Sequence, residues 1–73
     1  MERYDLYVDD HQAARALDRR CALRAVEATL LQLGSPASGR TEVCIRIAGT
    51  DELRAVWFWT ASGWKKHCTE GWT

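Results

Sequence analysis

The sequence lacks the features that mark most catalytic, metal-binding or membrane proteins. Its three cysteines are widely spaced, with no CxxC pair, which indicates neither a disulfide framework nor a zinc ribbon. It contains no G-x-S-x-G, no glycine-rich phosphate loop and no HExxH. No charged segment followed by an apolar one opens the chain, and no apolar run approaches membrane-spanning length. We therefore expect a soluble cytoplasmic protein that is not an enzyme and holds no metal or cofactor.

Net charge is also absent, because ten basic residues balance ten acidic ones. This balance argues against a protein that coats nucleic acid non-specifically, although a neutral total can hide a one-sided distribution. A hydrophobic content of 47% with 27% charged residues is typical of a globular protein. At 73 residues the chain is expected to form one domain over 1–73, close to the lower size limit for a single apolar core.

The first half of the sequence predicts a strand followed by a long helix. Residues 3–8 alternate apolar and polar side chains, as a half-buried strand does. Asp9 and Asp10 are predicted to cap a helix that begins near His11, and Gly34 is predicted to end it after Leu33. The apolar stripe changes direction near residues 18–20. Either the helix kinks or splits there, or its first turns pack on a different neighbour, such as a second copy of the chain.

The second half predicts three strands joined by turns. Residues 41–48 alternate with Val43 and Ile45 facing inward, and a turn follows at 49–52. An even-numbered loop would pair Ile45 with Val56 and Val43 with Phe58, which would bury Val56 and Phe58 under the helix. The alternate residues Trp57 and Trp59 would then lie on the outer face.

The final hairpin has two possible loops. A three-residue loop over 61–63, with Gly63 in the positive-φ position, would place Lys65 and His67 on the outer face and Lys66 on the helix side. A two-residue loop at 62–63 would exchange these faces. In either case His67 and Cys68 diverge, which spoils them as joint metal ligands or as a base and nucleophile.

The predicted fold class is α+β with the order β-α-β-β-β, in which one helix packs on a four-stranded mixed sheet with one open face. The first strand either lies parallel beside the second through a right-handed crossover or docks beside the last strand. A loop over residues 35–39 is expected to follow the helix.

The open face is the predicted functional surface. Two tryptophans on one face approach the largest apolar patch that a monomer normally exposes, so a partner is expected. The alternative is that residues 69–73 or long side chains fold over the tryptophans. A homodimer is another way to cover an apolar surface. The predicted partner-binding residues are Tyr7, Arg46, Arg54, Trp57, Trp59, Lys65, Lys66 and His67.

Two binding functions fit this surface. In the first, aromatic and arginine anchors bind a protein partner. In the second, the tryptophans stack on bases while basic residues contact phosphates, although Asp5, Glu42 and Glu70 dilute the positive charge. Zero net charge favours the protein partner.

The plan of the chain, a small Ala/Arg-rich domain with one helix and a final hairpin through Gly63-Trp64-Lys65-Lys66 towards Cys68, resembles some phage-encoded anti-CRISPR proteins. The resemblance implies an inhibitor that binds a CRISPR-Cas effector complex without catalysis, in the host cell cytoplasm, through the aromatic and basic residues of the hairpin. We therefore expect a small binding protein that inhibits a nucleic-acid-handling protein complex, with direct nucleic-acid binding as the alternative.

Overall fold

The computed structural model describes residues 2–35, 41–50, 52–69 and 72. The elements are β1 (Tyr4–Val8), β2 (His11–Leu17), α1 (Arg19–Leu33), β3 (Glu42–Ile47), β4 (Leu53–Thr60) and β5 (Gly63–Cys68). The strands form one antiparallel sheet in the order β2-β1-β3-β4-β5, and α1 packs on one face, which we call the inner face. Most of the predicted 35–39 loop, the middle of the 49–52 turn and Glu70 lie outside the described residues.

The prediction of a helix from His11 was wrong, because residues 11–17 form the edge strand β2. Asp9 and Asp10 do not cap a helix; both have positive φ, 49° and 68°, and form the tight turn between β1 and β2. Aspartate tolerates this left-handed region better than most residues. Two register shifts against β1 make β2 irregular. They disrupt the alternation of its side chains, which explains why the segment does not look like a strand in sequence.

The helix begins eight residues later than predicted and ends where predicted. The Asp18 carboxylate accepts a hydrogen bond from the Cys21 amide at 2.7 Å, so Asp18 is the N-cap. Gly34, with φ of 60°, donates its amide to the Leu30 carbonyl and ends the helix. The change of apolar stripe near residues 18–20 therefore marks the junction of strand and helix, and the expected alternatives, a kinked or split helix or a helix packed on two neighbours, were wrong.

The extra strand also changes the sheet from mixed to antiparallel. β1 does lie beside β3, but because β2 reverses the chain before α1, β3 runs antiparallel to β1. The pairs Leu6↔Ile45 and Val8↔Val43 place apolar side chains under the helix. Val43 and Ile45 are fully buried, which confirms the inward alternation predicted for β3.

The register predicted between β3 and β4 was wrong by one residue. Val43 pairs with Trp57 and Ile45 with Ala55, so Ala55 and Trp57 face the helix while Val56 and Phe58 face outward. The register shift at Ile45/Arg46 inserts one extra residue at the beginning of β4. The faces to which the following side chains of β4 point are therefore the reverse of those expected from an even-numbered loop. Ala55, on the inner face, is fully buried.

The β4-β5 hairpin pairs Thr60 with Gly63, leaving two residues, Ala61 and Ser62, in the loop. Gly63 has the expected positive φ, 107°. Trp64 therefore pairs with Trp59 on the inner face, and Lys65 and His67 lie on the outer face, as the three-residue loop predicted. The predicted β3-β4 register was wrong by one residue, and the predicted three-residue hairpin loop was one residue too long. The two errors offset each other, so the faces of β5 match the prediction made with that loop.

The core lies between the sheet and α1. The helix contributes Ala22 and Val26, both buried, and β1 contributes Tyr4 and Leu6. Trp72, beyond the last strand, is only 5% exposed and meets the Tyr4 ring edge-on at 4.8 Å between centroids. The Trp72 side chain thus covers Tyr4 on the inner side of the sheet.

Candidate functional site

The face of the sheet opposite α1, which we call the outer face, is not covered by any described helix or strand. Because the register is known, its side chains can be assigned strand by strand. β1 contributes Asp5 and Tyr7, β3 contributes Glu42, Cys44 and Arg46, β4 contributes Val56 and Phe58, and β5 contributes Lys65 and His67.

A stacked pair occupies the middle of the outer face. The Arg46 guanidinium carbon lies 4.5 Å from the centroid of the Tyr7 ring, and its Nη2 lies 3.4 Å from Oδ1 of Asp10. A cation over an aromatic face is attracted by the negative potential of the ring. The pair is therefore held in a fixed orientation on an otherwise open surface.

The β1-β2 turn is fastened to β3, which explains why Asp10 reaches Arg46. The Asp9 amide donates to the Glu42 carbonyl, and the Asp9 carboxylate accepts from the Glu42 amide, each at 2.9 Å. Cys44 lies between Glu42 and Arg46 and is buried, and this burial raises the pKa of its thiol. We expect Cys44 to remain an unreactive thiol at neutral pH, with a packing role.

An apolar strip adjoins the stacked pair. It consists of Leu53, Val56 and Phe58, of which Leu53 is 41% and Phe58 36% exposed. A shallow depression beside Phe58 is also lined by Thr41, Glu42 and His67. The strip therefore combines exposed apolar surface with polar and ionisable groups at its margin.

The structure places four of the predicted binding residues on the outer face and three on the inner side. Tyr7, Arg46, Lys65 and His67 are on the outer face, as predicted. The outer position predicted for Trp57 and Trp59 was wrong, because the β3-β4 register turns both towards the helix side. Lys66 also lies there, as the three-residue loop predicted.

Both tryptophans lie on the inner side by register, and Trp57 is a core residue whereas Trp59 is half-buried. Trp57 is 8% exposed and belongs to the core, with Nζ of Lys66 lying 5.3 Å from its ring centroid. Trp59 meets Trp64 edge-on, with 5.4 Å between ring centroids. Neither forms the exposed stacking platform on the outer face that the sequence predicted.

Arg54 lies at the irregular beginning of β4 and is held by two carboxylates. Its Nη1 is 3.0 Å from Oε1 of Glu52, and its Nη2 is 3.3 Å from Oε2 of Glu2. The Glu2 carboxylate also accepts the Tyr4 hydroxyl at 2.6 Å, a bond that lowers the pKa of Glu2 and raises that of Tyr4. Arg54 therefore links the N-terminal residues to β4.

Sequence reasoning missed Phe58, Val56 and Leu53 as members of the outer face. The signal was present in Ala55, the smallest side chain of the strand, since alanine is often fully buried whereas an open face is lined by larger side chains. Taking Ala55 as the inward residue would have placed Val56 and Phe58 outward by alternation.

The residues that the structure describes form no group of three or more His, Cys, Asp or Glu side chains able to hold a metal ion. His67 and Cys68 point to opposite faces, as predicted. No helix in the described part of the chain combines the length and apolarity needed to cross a membrane. The arrangement on the outer face is thus one of aromatic, aliphatic and paired charged groups suited to binding.

Comparisons with protein-family models, with curated proteins and with solved structures found no match for this chain.

Proposed function

We propose that the chain is a non-enzymatic binding protein whose outer face docks on a protein partner. The observation that carries the proposal is the adjacency of the Tyr7-Arg46 stack and the exposed apolar strip of Leu53, Val56 and Phe58. Aromatic residues and arginine are enriched in the anchors of protein interfaces, where they fill pockets and exclude water. The stack is already ordered, which reduces the entropy lost on binding.

The charges of the outer face favour a protein over a nucleic acid. Arg46 and Lys65 are accompanied by Asp5, Asp10 and Glu42, so the surface has no excess of positive charge to attract phosphates. A mixed surface of this kind complements the mixed charges of a protein surface. The nucleic-acid alternative also depended on Trp57 and Trp59 stacking on bases, and their inward position removes that support.

We further propose that the partner is a nucleic-acid-handling protein complex and that the chain inhibits it. This step rests on the resemblance to anti-CRISPR proteins, so CRISPR-Cas effector complexes are the first candidates to test. A domain this small inhibits most simply by occupying a surface that the complex needs, and a single open face is sufficient for that.

The test is to express the chain in bacteria immunised against a phage by each of a panel of CRISPR-Cas systems and to measure plaquing efficiency. Restored plaquing with one system, together with binding of the purified chain to that effector, is the expected result. Phe58→Asp should abolish both, because it places a charge in the centre of the apolar strip. Gln32→Asp, on an exposed helix position, is the matched control and should leave both unchanged.

A parallel titration with single-stranded and duplex oligonucleotides at low and physiological salt separates the two functions. We expect no binding. Tight binding that weakens steeply with salt would replace the protein partner with direct nucleic-acid recognition. Failure to inhibit any system of the panel would contradict the CRISPR-Cas assignment.

A further inference from the structure

The two edges of the sheet differ in whether another strand can join them. At β2 the edge is interrupted by two register shifts and by the left-handed residue Ala16, with φ of 57°. At β5 the pairing with β4 runs without a shift from Thr60↔Gly63 to Ala55↔Cys68. Irregularities of the β2 kind block strand addition, whereas a regular edge presents unpaired backbone donors and acceptors. The described structure therefore offers one regular free edge, that of β5.

The inner side of this edge is only partly covered. α1 packs over β1, β2 and β3, and within the described structure its backbone does not closely approach β4 or β5. The gap is bridged by Trp64, whose indole Nε1–H donates to the Gly34 carbonyl at 3.2 Å. Trp64, Leu30 and Leu31 line a shallow apolar groove there, and Leu31 is 84% exposed. An added strand would place alternate side chains in this groove.

The charges along β5 specify what kind of strand fits. Lys65 and His67 point to the outer face and are exposed, and in the described part of the chain no carboxylate lies within ion-pair distance of either. On the inner side Glu27 lines the groove and Lys66 lies beside the Trp57 ring, so the charges there are of opposite sign and favour neither an acidic nor a basic side chain. Carboxylates on the outer side and apolar groups on the inner side are the complementary pattern.

We propose that the free edge of β5 binds an extended segment of a partner protein in which acidic and apolar residues alternate. The backbone of the segment pairs with β5, its acidic side chains lie beside Lys65 and His67, and its apolar side chains lie against Trp64 and Leu31. A second copy of the chain is a poorer occupant, because antiparallel pairing of two β5 strands places basic side chains opposite one another. This site adjoins the outer-face strip, because Lys65 is the cross-strand neighbour of Phe58, but it uses the backbone edge of β5 and the inner groove, which the strip does not include.

The probes are two capped peptides of about eight residues, one strand in length with short flanks. One alternates valine with glutamate, and the other alternates valine with lysine. Each is titrated into the isotopically labelled chain at physiological salt, and amide chemical shifts and amide hydrogen exchange are followed. We expect the glutamate peptide to bind at least about tenfold more tightly than the lysine peptide, with shifts and slowed exchange concentrated in β5 and at Leu31.

Two variants test the named contacts without touching the core, because both side chains are exposed. Lys65→Glu should reduce the preference for the glutamate peptide several-fold, and Leu31→Asp should weaken that peptide by about tenfold. Leu53→Asp, at the end of the apolar strip that has no partner in β5, should bind the peptide as the wild-type chain does. The two surfaces are thereby distinguished.

Several outcomes would overturn the proposal. Absence of binding by the glutamate peptide, equal affinity for both peptides, or shifts that map to the Phe58 strip would each contradict it. Concentration-dependent dimerisation through β5 would show that a second copy occupies the edge. If oligonucleotides displace the glutamate peptide from the wild-type chain, and do not do so from Lys65→Glu, the edge binds phosphates and not an acidic segment.

Discussion

Trp57 and Phe58 are adjacent in β4 and lie on opposite faces, so truncating each in turn tests the register of the sheet. Trp57 is buried in the core, whereas Phe58 is one of the most exposed large apolar residues of the described chain. The register expected from loop length alone would reverse the two roles. Trp57→Ala and Phe58→Ala therefore form a matched pair with opposite expected outcomes.

The magnitude follows from the burial of the indole. A tryptophan buries roughly 150 to 250 Å², which at about 25 cal/mol per Å² corresponds to about 4 to 6 kcal/mol. Measured aromatic-to-alanine truncations in cores cost about 3 to 5 kcal/mol. A domain of this size has only about 5 kcal/mol of stability, so Trp57→Ala should be largely unfolded. Phe58→Ala should cost about 1 kcal/mol, because its ring is already partly solvated.

The assay is urea denaturation followed by far-ultraviolet circular dichroism, which does not depend on the number of tryptophans. Trp57→Phe is included because it keeps an aromatic ring in the core and should fold with a measurably lower midpoint. A cooperative transition for Trp57→Ala near that of the wild-type chain, with unfolding of Phe58→Ala, would refute the register.

Four further predictions concern the first half of the chain and its thiols. Asp18→Asn should retain the helix cap but lose less stability in acid than the wild-type chain. The hydrogen bond from the Cys21 amide lowers the pKa of Asp18, and the stabilisation it gives is lost as pH falls through that lowered pKa. Acid titrations of both chains, followed by circular dichroism, check this. Ala16→Gly should raise the free energy of unfolding by about 0.5 kcal/mol, because glycine adopts the left-handed backbone of this position without strain. Asp5→Ala should lower it by about 1 to 3 kcal/mol, because the Ala16 amide loses its hydrogen-bond acceptor. A urea midpoint that moves in the opposite direction would contradict the prediction for that variant. Cys21, which is exposed, should react with an aromatic disulfide reagent well before buried Cys44, and equal rates would show that the outer face opens readily.

The strands with regular alternation could be predicted from sequence, and the irregular ones could not. β1 and β3 pair without a register shift and send alternate apolar side chains, such as Leu6 and Ile45, to the inner face, and Gly34 ends α1 by a recognisable signal. β2 was missed because residues such as Gln12, Ala13 and Arg15 favour helices when considered alone. Pairing with β1 overrides that preference, and pairing is a property of the folded sheet.

The candidate site was predicted in part for a related reason. A strand with large apolar residues on both sides, as in residues 56–59, does not reveal which side faces the core. The single inserted residue at the beginning of β4 decides it, and such irregularities leave little trace in a sequence. Tyr7 and Arg46 were placed correctly because their strands are regular.

The strand order divides the molecule into two halves that meet along one seam. Every strand pair except β1 with β3 joins elements that are consecutive in the chain, so residues 2–35 and residues 41–69 each form by local contacts. Local contacts form quickly, and the step that brings distant segments together is the slow one. We therefore expect the folding rate to be governed by closure of the seam, where Leu6 meets Ile45. Trp72 packs on Tyr4 across the same boundary. We expect this contact to form after the two halves have met, so it should lower the unfolding rate and leave the folding rate nearly unchanged.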